Sequence, residues 1–149
     1  MKNVAQIFWG VPARISDSIW VGCGGVLGTL SRYGLDQILP PHLWLPRFPW
    51  PTFVINVSGA ALLGFIIAWT EESEDAPSWL RPGVAIGFCG AYTTFSTASV
   101  EILLMARDGH AESALAYLVA SLGLGVLAVT ISTALAVKIF KRAGAPESK

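Results

Sequence analysis

Four stretches of this chain carry no charged side chain: residues 18–31, 52–70, 82–100 and 113–137. A transmembrane helix needs roughly 20 consecutive, mostly apolar residues, and the last three windows match or exceed that length closely enough to fix the class of fold. Composition agrees. Hydrophobic residues make up 53% of the 149 and charged residues only 13%, against about 25% charged in an average soluble domain. With a mean hydropathy of +0.57, too little polar surface remains to cover a water-soluble globule, and disorder or a charged tail is excluded. Four spans of roughly 20 residues use about 80 positions and leave about 70 for loops and ends. The expectation is therefore an all-α membrane protein, one domain over residues 1–149, with spans at about 18–39, 52–70, 82–105 and 113–140.

The charges and prolines mark where each span stops. The first window runs on to Arg32, Tyr33 and Asp36, so charge enters its last two turns. Pro40, Pro41, Pro46, Pro49 and Pro51 then prevent helix through a rigid loop. Glu71, Glu72, Glu74 and Asp75 form a solvated loop after the second span, Pro82 suits the first position of the third, and Lys138, Lys141 and Arg142 close the fourth. Trp9, Trp20, Trp44, Trp50, Trp69 and Trp79 fall near span ends, as an interfacial aromatic belt requires. Residues 1–17 carry Pro12, Arg14 and Asp17 and no continuous apolar core, so no cleavable signal peptide is expected.

Several function classes fall away. A net charge of zero is unlike a nucleic-acid binder. Cys23 and Cys89 lie inside apolar runs and read as small buried residues, and His42 and His110 have no cysteine near them to make a zinc site. The segment GCGGVLG (22–28) fails as a dinucleotide fingerprint, because Cys23 or Leu27 stands where glycine is required. No nucleophile with a base and no phosphate loop is present, so an enzyme is not expected.

Small residues recur four apart at Gly24 and Gly28, Ala60 and Gly64, and Ser121 and Gly125, a spacing that lets helix backbones approach closely in lipid. Polar groups inside the spans are costly unless paired or facing water, which makes them functional candidates. Asn56 sits one turn into the second span. In the third, GFCGAYTTFSTAS (87–99) is poor material for one uninterrupted helix. Either the chain unwinds there and frees carbonyls able to hold an ion, or the hydroxyls bond back to the preceding turn of a continuous helix. Glu101 either carries protons or pairs with Arg32 or a helix end. On the last span Tyr117, Ser121, Gly125 and Ser132 share one face, suited to helix packing or to lining a conduction path.

The segments GVLGTLSRY (25–33), TFVINVSGAALLGF (52–65) and GFCGAYTTFST (87–97), with Glu101 and the Tyr117/Ser121 pair, resemble the small bacterial fluoride channels of the Fluc/CrcB type over about residues 20–140. The resemblance implies an antiparallel, dual-topology dimer of four-helix subunits with two pores in the cell membrane. These would let cytoplasmic fluoride leave down its gradient and so relieve its toxicity. It also implies a structural, untransported Na⁺ on the two-fold axis, held by backbone carbonyls that map to Gly90 and Thr93. Asn56, Thr94, Ser96, Tyr117 and Ser121 become candidate donors to fluoride, and the positive edge of the Phe95 ring a weak anion contact. Arg32 takes a structural or vestibular role.

Two departures from that family pattern bear on assembly. A second phenylalanine expected three residues after Phe95 is Ala98, which removes one ring from each pore, and the hydroxyl track on the last span gives way to Gly125 and Val129. Lys2, Arg14, Arg81, Lys138, Lys141, Arg142 and Lys149 lie on the side of the termini, against Arg47 and Arg107 on the other. Such a bias favours one orientation, so a heterodimer with a related, oppositely inserted subunit stands beside the homodimer. A small dual-topology proton-coupled exporter working through Glu101 is the alternative function.

Overall fold

The computed structural model describes residues 15–39 and 48–143. Helix α1 spans Ile15–Ile38 and α2 spans Trp50–Glu72. A π-helical segment, Arg81–Phe88, runs into the short α3, Cys89–Tyr92, and after two extended residues the chain resumes as α4, Phe95–Arg107. The long α5 spans Ala111–Ala143. Each of the four helical passages thus contains one of the charge-free windows of the sequence, with charge entering mainly toward the helix ends. Two of them, α2 and the Ala111–Lys141 part of α5, are long and apolar enough to cross a membrane by length and composition. Only 11% of the most apolar stretch of α5 is buried inside the subunit, unlike the core helix of a globule. Many of its apolar side chains, among them Val119, Leu122, Val126 and Ile131, face outward.

Packing follows the small residues. Helix α1 lies against the π segment and α3, and α2 runs along α5. A Cβ on Gly24 would strike the carbonyl oxygen of Gly83, and one on Gly28 that of Phe88, so the two glycines bring backbones to a distance no side chain permits. Gly64 does the same for α2 and α5: a Cβ there would stand 2.7 Å from Ser132 Oγ and 2.9 Å from the Val129 carbonyl oxygen. Across that approach Thr133 Oγ1 donates to the Gly64 carbonyl at 3.2 Å. Gly125, by contrast, has open space around it, so the Ser121/Gly125 pair does not mark a close helix contact within the subunit.

Turn chemistry sets the remaining geometry. Pro51 occupies the first turn of α2, where its missing N–H costs nothing. Helix α4 ends in a left-handed residue, Gly109 at φ 82°, with the Gly109 N–H on the Ala106 carbonyl at 3.2 Å and the His110 N–H on the Met105 carbonyl at 2.8 Å. These are the paired bonds of a Schellman cap, and they reverse the chain into α5.

Two sequence expectations change here. Cys23 is exposed on α1 while Cys89 is buried, because only the Gly24/Gly28 face of α1 meets the subunit. The first half of the third span is a π-helix rather than an α-helix, a state that periodicity at 3.6 residues cannot register. Of the tryptophans, Trp20 and Trp79 pair with ring centroids 5.5 Å apart and Trp69 stacks on Phe140 at 5.2 Å. Trp9 and Trp44, the prolines Pro40, Pro41 and Pro46, His42, and the cations Lys2, Arg14, Arg47 and Lys149 lie outside the described residues.

Candidate functional site: a clamped helix break

Thr93 and Thr94 interrupt the third span with extended backbone, φ −78°, ψ 157° and φ −145°, ψ 123°. The continuous-helix alternative is thereby excluded. Asn56, on α2, holds the break open: its Nδ2 donates to the Thr94 carbonyl at 2.9 Å and its Oδ1 accepts the Thr94 N–H at 2.8 Å. Thr94 then caps α4, its Oγ1 accepting the Thr97 N–H at 3.2 Å in the manner of an N-cap hydroxyl.

Those two bonds decide what becomes of the backbone. In an α-helix each N–H donates to the carbonyl four residues earlier, so the Thr94 N–H belongs to Gly90 and the Thr97 N–H to Thr93. Side-chain oxygens have taken both donors. The carbonyls of Gly90 and Thr93 are therefore released from the helical ladder. Gly90 is exposed, with nothing within 4 Å of where a Cβ would stand. Hard cations such as Na⁺ take oxygen ligands, and these two carbonyls are donors of the right kind. Gly59 makes the approach possible, since a Cβ on it would collide with Thr93 Cγ2.

Beside the break lies an open groove of about 340 Å³, lined by Asn56, Ala60, Leu63, Gly90, Thr94 and Phe95 among others. Phe95 is 84% exposed and its ring stands out from the subunit. A second groove of about 370 Å³ shares Ala60 and is lined by Ser121, Gly125, Val129 and Thr130 on α5. The Ser121 hydroxyl is buried and meets no hydrogen-bond partner among the described residues.

The candidate donors divide into committed and available. The Thr94 hydroxyl already donates to Thr97 Oγ1 at 3.0 Å, so it is a cap and not a free donor. Tyr117 is fully buried and its hydroxyl donates to Glu101 Oε2 at 3.0 Å. Asn56 spends one of its two N–H bonds on Thr94 and keeps the other. Ser96 is exposed, in contact with Thr94 Oγ1 at 3.4 Å. Asn56, Phe95, Ser96 and Ser121 are thus the residues with groups left to offer.

Glu101 meets different partners from those expected. Besides Tyr117 it accepts from Thr52 Oγ1 at 2.7 Å, and Thr52 lies in the first turn of α2. A carboxylate there complements the positive end of the helix, so the helix-end alternative describes it and pairing with Arg32 does not. Arg32 is half-buried on α1. Ala98 is 8% exposed and packs in a buried cluster with Phe48, Met105, Ala114 and Tyr117. A larger ring at that position would compete with Phe48 for space.

Comparison with known proteins gives this arrangement a family. The model for CrcB-like protein, Camphor Resistance (CrcB), matches residues 19–133. This chain belongs to the CrcB-like family. Among its relatives, the fluoride-specific ion channel FluC 1 of Mycobacterium bovis is 44% identical over 115 residues, covering 77% of this chain and 86% of that protein. The fluoride-specific ion channel FluC of Acidobacterium capsulatum is 43% identical over 112 residues, 74% and 88% of the two chains. That of Saccharophagus degradans is 39% identical over 135 residues, 87% and 96% of the two. The CrcB-like match spans most of α1, the clamped break and most of α5, and it includes every residue of the two grooves. The sequence missed the Asn56 clamp, the Thr52 partner of Glu101 and the packing of Phe48 against Ala98 and Tyr117. A polar residue opposite a Ser/Thr-rich break was the available signal for the first, whereas the other two join segments far apart in the chain.

Proposed function

We propose that this chain is a subunit of a fluoride-conducting channel, not an enzyme, that lets cytoplasmic fluoride leave the cell down its gradient and relieves its toxicity. The observation that carries the reading is the Asn56 clamp on Thr94, which builds a fixed, polar, non-helical turn next to a groove. Fluoride is small and strongly hydrated, so a pore must replace its water with a few donors that bind it only moderately. The spare Asn56 N–H, the Ser96 hydroxyl, the positive end of α4 and the exposed edge of Phe95 supply such contacts. Ser121 continues them along α5. The names of its relatives, fluoride-specific ion channels, support the ion's identity.

The working unit in this reading is an antiparallel dimer in the cell membrane, a homodimer or a heterodimer with a related subunit, crossed four times by each chain. Its outward-facing Phe95 and open grooves suit a partner surface. The released carbonyls of Gly90 and Thr93, doubled by a two-fold axis, would hold a structural Na⁺ that ties the subunits together and adds positive field near the anion path. The decisive experiment is fluoride efflux from liposomes loaded with the purified protein, with chloride as control. Rapid fluoride loss with retained chloride is expected; equal flux of the two ions, or none even when any co-encoded related subunit is added, rejects the reading.

A further inference from the structure

Phe48 lies just ahead of α2, its backbone tied to the helix start by the Trp50 N–H on the Phe48 carbonyl at 2.8 Å. It is 6% exposed although it lies outside any helix. Its ring meets Trp50 at 4.6 Å, Phe53 at 5.2 Å and Tyr117 at 5.2 Å, the last edge to face at 87°. Ala98 and Ala114 border the same cluster and leave room for the ring. Tyr117 therefore has an aromatic wall beside its ring and a carboxylate at its hydroxyl. Edge-to-face pairs are favoured by the ring quadrupole, so this contact orients as well as packs.

We propose that Phe48 is a positioning residue, whose ring holds Tyr117 so that its hydroxyl stays on Glu101. In doing so it fixes the Thr52, Glu101 and Tyr117 set one helical turn from Ser121 on the anion route. The transport consequence rests on the fluoride-channel reading; the geometric part does not. Without the ring, Tyr117 gains rotational freedom, and Glu101 loses one of the two donors that keep its carboxylate in place.

The test is a double-mutant cycle on the intact protein in liposomes. Phe48→Ala is expected to lower fluoride efflux about tenfold, the equivalent of about 1.4 kcal/mol, and in a Tyr117→Phe background to change it by less than about twofold. If Phe48→Ala does not fold, Phe48→Leu keeps apolar volume without the ring edge and is read the same way. In parallel, the ultraviolet resonance Raman difference between the unaltered protein and Tyr117→Phe isolates the hydrogen-bond state of the Tyr117 hydroxyl. Phe48→Ala or Phe48→Leu should shift that band. An unmoved band, or an equal loss of efflux in both backgrounds, overturns the proposal. A protein that carries no fluoride at all rejects the channel reading instead, and the Raman band still decides the positioning role.

Discussion

Asn56 and Thr94 share two hydrogen bonds, one in each direction, between a side-chain amide on α2 and one residue's backbone in the broken span. An amide carries its donor and its acceptor on two separate atoms, so it can meet the N–H and the carbonyl of one residue at once, whereas an ionised carboxylate only accepts. The break is thus a built feature of the subunit, held by a residue 38 positions away.

Asn56→Ala should leave the Thr94 N–H without its acceptor and cost about 1–3 kcal/mol of stability, the usual penalty for an orphaned buried group. Asn56→Asp keeps the acceptor but loses the donor and adds a negative charge beside the proposed anion path. Fluoride efflux should fall more than thermal stability for Asp, and both should fall together for Ala. Equal behaviour of the two variants in melting and efflux assays argues against the clamp.

Thr94 caps α4 with its hydroxyl, so Thr94→Val should destabilise the protein by about 1 kcal/mol and Thr94→Ser by much less. The measurement is the thermal unfolding midpoint in detergent. If Thr94 served mainly as a donor to fluoride, Val would leave the midpoint unchanged and lower efflux alone.

Gly28→Ala places a methyl group on the Phe88 carbonyl oxygen. Overpacking of this kind costs roughly 1–3 kcal/mol, and here backbone, not a pliable side chain, must give way. The same change at Gly125, whose Cβ would meet nothing within 4 Å in the subunit, should lower the thermal midpoint far less.

Ala98→Phe should destabilise the subunit by about 1–3 kcal/mol through overpacking against Phe48 and Tyr117. Combining it with Phe48→Ala should recover much of that loss, because the second change vacates volume in the same cluster. The cycle is read by thermal unfolding, and strictly additive losses would show that the two side chains do not compete.

Exchange of Na⁺ for a large organic cation should weaken the proposed dimer and slow fluoride efflux if Gly90 and Thr93 carbonyls hold the ion. Size-exclusion profiles and efflux before and after exchange provide the check. Indifference to Na⁺ in both assays removes the sodium part of the proposed function and leaves the clamp intact.

The sequence by itself determined the helical, membrane-suited character of this protein, because the cost of placing charge in hydrocarbon is read directly from where charges are missing. It also marked the ends of the passages, through prolines, the acidic cluster and the basic residues, and it singled out 87–99 as a stretch that either breaks or continues the third span, a choice the extended Thr93 and Thr94 decided. Tertiary structure alone decided how the polar residues are spent. Thr94 and Tyr117 look like Ser96 and Ser121 in a sequence, yet the first two are occupied by a helix cap and by Glu101 while the others keep hydroxyls to offer. Glu101 found Thr52, and Ala98 found Phe48, only because α2, α4 and α5 meet there. Hydrophobicity is a property of each residue and survives in one dimension; a hydrogen bond belongs to a pair, and its partner is chosen by the packing.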